Sequence, residues 1–364
     1  MTGVFRRTRA IAHKEVLHMI RDPRVVYLAL GLPVVMLLLF GYAISTDVDH
    51  IPIAVVDQDA TAASRRLTEA LVAGGSFVVA ARPPAPEAAE PLLRRGAITA
   101  VLVIPRGYQR DLARHAPASA QLLVDGSDGT VATIALGDAL GAAQAASAAE
   151  LRAPPLISRF NPAMRSTYNI VPGVIALILS MVSSLLTALA VAREWERGSM
   201  EQLFATPVGR TEIIAGKLIP YAALGMVQTL LVVTLGSWMF GVPIRGSLAL
   251  LFAGSALFLL AMLGLGLLIS VVTRSQIVSV QFTLMASMLP TTLLSGFVFP
   301  IANMPWPLRA VSAVLPGRYY ITVLRGVLLK GNGLGVLAWQ FLALAAFAAA
   351  VTALAVSRFR RRLS

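Results

Sequence analysis

"REWERGSMEQLFATPVGRTEIIAGK" occupies residues 193–217, between two apolar stretches at 168–192 and 218–240. Each flank supplies the ~20 predominantly apolar residues that a helix needs to cross a hydrocarbon core. The eight charges of the segment cancel, Arg193, Arg197, Arg210 and Lys217 against Glu194, Glu196, Glu201 and Glu212. A simple reversal between two spans needs only a few residues, and this one uses twenty-five. Gly198-Ser199 followed by Gln202 reads as a capping box that opens a short helix, SMEQLFA, which Pro207 after Thr206 closes. A second helix from about Thr211 leads back to the bilayer. The product is a compact knuckle with an apolar tip (Met200, Leu203, Phe204) beside Glu194, Glu196, Glu201 and Arg210. An apolar tip with a charged rim suits docking in a groove on another protein.

The rest of the chain agrees with a membrane setting. Of its 364 residues 57% are hydrophobic and 13% charged, against about 25% charged in soluble proteins. Mean hydropathy is +0.74. The net charge of +13 suggests nucleic acid at first, but the basic residues flank apolar spans or lie scattered. Strand binding needs a basic patch interleaved with aromatic rings, which is missing, so no nucleic-acid partner is expected. With no Cys, disulfides, thiolate metal sites and thiol nucleophiles are excluded. The first apolar run starts near Val25 and ends without a small-residue cleavage site, so it reads as a retained span.

Residues 3–22 place Phe5, Ala12, Val16 and Met19/Ile20 at helical spacing with Arg6, Arg7, Arg9 and Lys14 mostly elsewhere. This is the pattern of an amphipathic helix lying in the headgroup layer, and residues 1–24 are assigned to it. "DPR" at 22–24 breaks it before a first span at 25–45. From 46 to 165 β-like runs at 51–57, 76–80, 98–105 and 120–126 alternate with helix-like segments at 61–73, 86–95, 107–114 and 128–150, predicting an inserted α/β domain. Further spans are expected at about 168–192, 218–240, 247–272, 277–300 and 336–357, making six transmembrane helices, with a basic tail at 358–364. Arginines cluster before the first span and after the last, which puts both termini in the cytoplasm, the α/β domain outside and segment 193–217 inside. The loop 301–335 departs from this rule with Arg309, Arg318, Arg325 and Lys330, and "FVFPIANMPWPL" (297–308) suggests a dip back into the outer edge of the membrane.

The spans hold almost no ionisable groups, which argues against an ion-coupled carrier and points to an energy source outside them. "GRTEIIAGKL" (209–218) has the wrong glycine spacing for a phosphate loop, and Leu218 stands where Ser or Thr would hold magnesium. The four histidines are not clustered, and the Asp pairs of "VDQD" (56–59) and "DGSD" (125–128) fit turn chemistry better than a cation site. No metal site and no catalytic constellation are expected.

Three long motifs in order resemble the ABC-2 type transporter permeases, in particular the drug-efflux type with a large extracytoplasmic domain. These are residues 13–44, "EWERGSMEQLFATPVGRTEIIAGKLIPY" (194–221) and "LSGFVFPIANMPWPLRAVSAVLPGRYYITVLRGVLLKG" (294–331). The resemblance implies a permease subunit of an exporter in the bacterial inner membrane, with ATP and Mg bound by a separate ATP-binding-cassette subunit and no cofactor here. It implies a second permease chain, identical or a sister. Segment 193–217 would be a coupling helix, with Glu194, Glu196, Gly198, Glu201, Gln202, Thr206, Pro207 and Arg210 transmitting ATPase closure. Trp195 receives no role. Candidates for the substrate path are Gln228, Gln281, Met285, Met288, Thr291 and Thr292. Gly296, Pro300 and Pro305 would shape an external gate in the re-entrant region 294–335. A mainly apolar path favours amphipathic or lipid-like cargo, and a periplasmic adaptor is a candidate partner of the outer domain. The alternative is a membrane-anchored sensor or envelope-assembly protein acting through that domain, which needs neither an ATPase nor a coupling knuckle.

Overall fold

A computed structural model describes residues 2–43, 51–114, 116, 118–125, 135–141, 143, 167–206 and 208–358. The chain divides into two compact units, Met1–Ser45 with Arg165–Ser364, and Thr46–Met164.

The first unit is helical. α1 (Thr2–Arg21) ends just before Pro23, which opens α2 (Pro23–Val26). A residue preceding proline disfavours the helical region, while proline itself is well placed at a first helical position. A wide π-turn at Tyr27–Gly31 then leads into α3 (Leu32–Ala43). Its widening relieves the clash that the Pro33 ring would make with the carbonyl four residues earlier.

At the centre stands α7 (Thr167–Glu196), buried on nearly every side from Val171 to Ala188. It can be apolar all round because α3, α9 (Arg210–Phe240), α10 (Leu248–Thr273) and α11 (Gln276–Leu293) all pack on it. Gly266 of α10 is where the approach is closest. A Cβ there would lie 2.0 Å from the Ser184 carbonyl oxygen and 2.5 Å from Thr187 Oγ1, a use of a small residue typical of membrane helix pairs. Against α11 the contact is polar. Ser279, Thr283, Ser287, Thr291 and Ser295, every fourth residue, are all buried. Ser180 Oγ of α7 lies 3.0 Å from Thr291 Oγ1 and donates to the Ser287 carbonyl at 3.2 Å.

α11 stops at Leu293 instead of continuing to residue 300 as the hydropathy suggested. Pro290 in its last turn and Gly296, with φ +84°, turn the chain away. Segment 294–335 then forms a short 3₁₀ turn (Ile301–Asn303), α12 (Trp306–Val314), α13 (Pro316–Arg325) and a π-turn (Gly326–Lys330). α13 is buried through Tyr320, whose ring stacks on Phe258 at 4.2 Å and whose hydroxyl lies 2.8 Å from Ser255 Oγ. α14 (Leu334–Arg358) closes the unit, burying Leu337, Leu344, Ala348, Val351 and Ala355 at helical spacing, with α10 its main neighbour. Among the described residues four helices are long and apolar enough to cross a bilayer, Ile170–Glu196, Arg210–Phe240, Leu248–Thr273 and Leu334–Arg358, with a shorter apolar helix at Tyr27–Tyr42.

The second unit carries a four-stranded sheet in the order β2-β1-β3-β4. β1 (Ile51–Asp57) pairs in parallel with β2 (Phe77–Ala81) and β3 (Ala100–Ile104), and β3 pairs antiparallel with β4 (Gln121–Val124). α4 (Ala62–Ala73) covers one face through Leu67 and Leu71, while Ala89 of α5 (Pro86–Arg94) joins the core on the other. β3, covered on both faces, reads as the unbroken apolar run AVLVI. Of the stretch 128–150, residues 135–141 are helical and most others lie outside the described residues, as do positions 126–128 of "DGSD".

"VDQD" is turn chemistry. Asp57 accepts from Ala60 N at 2.9 Å and Ser64 Oγ at 2.7 Å. Asp59 accepts from Gly107 N at 2.7 Å, Gln109 N at 2.9 Å and Thr61 Oγ1 at 2.7 Å, joining the ends of β1 and β3. The Gln109 N–H, then the Thr61 hydroxyl, hold the Asp59 carboxyl below the usual carboxylate range. A carboxyl depressed in this way stabilises the fold above its unfolded pKa and loses that contribution as pH falls through the folded value. Amide protection of Gly107 and Gln109, corrected for intrinsic exchange, is therefore expected to drop below about pH 3.9. In Asp59→Ala it should already be low at neutral pH. Wild-type protection that stays flat through the acid range would refute this.

Candidate functional site: a clamped helical knuckle

The last turn of α7 sends four consecutive side chains to different places. Arg193 Nη1 reaches Asp22 Oδ2, in the break between α1 and α2, at 2.8 Å. Glu194 bridges two lysines, Lys14 of α1 at 3.2 Å and Lys217 of α9 at 2.6 Å. The Trp195 ring lies under the Arg274 guanidinium, 4.6 Å from its centroid, at the end of α10. Glu196 accepts the Gln276 backbone N–H at 2.7 Å and its side-chain amide, at the start of α11. A negative charge there also complements the helix N-terminus.

Lys217 is the hub of this cluster. It is 1% exposed, and its ammonium also meets Glu15 Oε1 of α1 at 2.7 Å. Burying an ammonium this deep is costly unless counter-ions are close, and both Glu15 and Glu194 reach it. Alongside, α1 lies flush on α9, since a Cβ on Gly216 would meet Ile11 at 2.8 Å and the Thr8 carbonyl at 3.0 Å. A cavity of about 380 Å³ adjoins the cluster, with Lys14, Glu15, Asp22 and Glu194 on its polar wall and Leu28 and Leu186 on its apolar one.

Gly198, with φ +69°, reverses the chain into α8 (Ser199–Ala205). The capping expected of Ser199 takes another form. Its hydroxyl donates back to the Glu194 carbonyl at 3.3 Å, tying α8 to the end of α7. Met200 is not at an exposed tip but fully buried in the core. The side chains of Leu203 and Phe204, and Pro207 as a whole, lie outside the described residues. Glu201, Gln202, Thr206 and Arg210 are exposed. Glu212 caps α9 by accepting Gly209 N at 3.0 Å, with Arg7 3.9 Å away. The charged rim read from the sequence therefore splits: Glu194 and Glu196 grip neighbouring helices, and the side chains left open belong to α8 and the start of α9.

A family model described as ABC-2 family transporter protein matches residues 24–357. The chain is 36% identical over 370 residues to the probable multidrug ABC transporter permease YbhS of Escherichia coli (strain K12), covering 99% of this chain and 98% of that one. This chain belongs to the ABC-2 transporter family. It is also similar to the probable multidrug ABC transporter permease YbhR of the same strain, 26% identical over 368 residues and covering 99% and 100% of the two chains. The inner membrane transport permease YhhJ of that strain is 27% identical over 328 residues, 86% of each chain.

In this ABC-2 chain the suggested substrate-path residues do not line one surface. Gln228 on α9 is fully buried, and among the described residues neither of its amide atoms has a hydrogen-bond partner. Gln281 and Met285 lie on the open face of α11. Met288 and Thr292 are half-buried, and Thr291 turns inward to Ser180. Period-four spacing on α11 assigns Thr291 to the α7 seam, a signal the apolar character of the stretch had masked. At the suggested gate the Gly296 carbonyl accepts Arg325 Nη1 at 3.1 Å, and Pro300 and Pro305 are exposed at the starts of the 3₁₀ turn and α12.

Lys14, Glu15, Asp22, Arg274 and Gln276 were not singled out as site residues from the sequence. Their partners lie about 80 to 200 positions away, and no local pattern announces such pairs. For Asp22, the helix break at "DPR" was the available signal.

Proposed function

We propose that the chain is the permease subunit of an ATP-binding-cassette exporter, moving an amphipathic or hydrophobic substrate out of the cytoplasm or inner leaflet. ATP and Mg are bound by a separate ATPase subunit. The observation that carries this reading is the clamp: α8 presents open polar side chains while the residues just before it hold α1, α9, α10 and α11 together. A push on α8 is then delivered to several helices at once rather than absorbed in a loop. Closure of the ATPases would move α8, and the clamp would swing the bundle between inward- and outward-open arrangements.

The accompanying topology is six spans in the inner membrane, with both termini and segment 193–217 cytoplasmic. The unit at 46–164 is extracytoplasmic, where an envelope adaptor is a candidate partner. A second permease chain, identical or a sister, completes the path. The exposed apolar row Ile277, Phe282, Met285 and Leu289 on α11 supports that pairing.

The test is mild-detergent purification of the tagged chain from its own host, with mass spectrometry of co-purifying proteins. An ATP-binding-cassette protein is expected with the native chain, and Glu201→Arg should lower its recovery about tenfold by reversing charge on the rim. Its absence under several detergents, or undiminished recovery with the variant, would overturn the reading.

A further inference from the structure

α1 has two apolar edges, and packing on α9 uses one. Ile11 and Met19 are buried, while Phe5, Ala12, Val16 and Ile20 form a second row at helical spacing. Apart from the half-buried Ala12 that second row is open, with Phe5 and Ile20 each 70% exposed. It borders two grooves. One, of about 510 Å³, is lined by Val4, Phe5, Thr8, Arg9, Ala12 and Ile219 of α9. The other, of about 100 Å³, joins Val16 and Ile20 to Val26, Leu30 and Leu224. Val26, Leu30, Ile219 and Leu224 belong to segments read as spans, so both grooves continue into surfaces that face acyl chains. A contiguous apolar strip like this would be an aggregation liability in water and is matched by the headgroup–acyl boundary.

The charges on the same helix choose the headgroup. Arg7 approaches Glu212 and Lys14 reaches Glu194. Arg6 and Arg9 are exposed, and among the described residues neither has an acidic partner. Arg9 itself lines the larger groove. A guanidinium offers a planar fork that fits a phosphodiester, and two of them beside an apolar trough favour a lipid with net negative charge.

We propose that α1 and the start of α9 form a binding site for an anionic phospholipid, one acyl chain lying over Ala12 and Ile219 and the phosphate held by Arg6 and Arg9. This rests on the topology proposed above for the leaflet concerned, but the binding itself is measurable on the isolated chain. Bound lipid keeps α1 pressed on α9, so it also braces the Lys14 and Glu15 side of the clamp.

The full chain, purified and stripped of lipid, is titrated with phosphatidylglycerol or phosphatidylcholine, and bound lipids are counted by native mass spectrometry. The native chain should prefer phosphatidylglycerol, and Arg6→Gln with Arg9→Gln should weaken that binding about thirtyfold. Arg6→Lys with Arg9→Lys should keep only part of it, since the charge remains and the planar fork is lost, and Ala12→Trp, which fills the larger groove, should weaken binding of both lipids. Equal retention of the two lipids by the native chain, or an unchanged preference in the glutamine pair, overturns the proposal. So does a glutamine pair that holds lipid normally but no longer retains the ATPase, because the edge then belongs to that partner. Loss of the lipid preference with ATPase retention intact leaves the permease reading standing, so the two can fail separately.

Discussion

Lys217→Met is expected to destabilise the chain by about 3–5 kcal/mol, the usual effect of removing one member of a buried ion pair. The variant takes the lysine from Glu15 and leaves Glu194 with Lys14, on the edge of the cluster. Reduced yield and a clearly lowered Tm in detergent are the readouts. Adding Glu15→Met removes the stranded carboxylate, while Glu194 keeps Lys14. Replacing a buried ion pair by apolar groups of similar volume is often neutral, so the double variant should recover most of the stability. It should not recover ATP-driven export, because the link from α9 to the end of α7 is still missing. Full recovery of export would show that the cluster supports only the fold, and an unchanged Tm in the single variant would show that the ion pairs do not hold Lys217.

Gly266→Ala is expected to have the other large effect. The added methyl would sit 2.0 Å from a backbone oxygen of α7, and neither helix can turn aside. The penalty should reach at least the upper part of the about 1–3 kcal/mol range for overpacked cores, with poor insertion and low yield. Gly225→Ala is the matched control. Its Cβ would meet Leu259 Cδ2 at 2.7 Å, the mobile end of a side chain, so the loss should be much smaller. A Gly266→Ala chain melting within about 2 °C of the native one would mean that α7 and α10 are not this close.

Periodicity made some of this architecture legible. The four β-like runs coincide with β1–β4: the central strands β1 and β3, buried nearly throughout, read as short unbroken apolar runs, and the edge strands β2 and β4 alternate in exposure between turn residues. The helical knuckle was readable from its length and charge, although Ser199 and Met200 act differently from the reading. Ser199 begins α8 after a left-handed glycine and so faces back to α7 instead of capping forward. The end of α11 was missed because hydropathy is blind to backbone geometry. "FVF" at 297–299 continues the apolar run while Pro290 and Gly296 have already ended the helix. The clamp itself was illegible, since Lys217 and Glu15 are 202 positions apart. Only the folded chain reveals that a segment with no net charge is neutralised partly through its neighbours.

The hydroxyl row on α11 constrains how the bundle can move. Ser287 donates to the Thr283 carbonyl within α11, and Ser295, just past its end, donates to the Thr291 carbonyl. On α7, Ser184 likewise donates to the Ser180 carbonyl one turn back. Across the seam Ser180 meets the Ser287 carbonyl and the Thr291 hydroxyl, while Ser279 pairs with Thr273 of α10. The side chains are small and similar, and they repeat every four residues, about 6 Å along the axis. Such a boundary behaves like a greased rail: it resists being pulled apart, yet one helix can travel lengthwise on the other and meet the same chemistry a rung later.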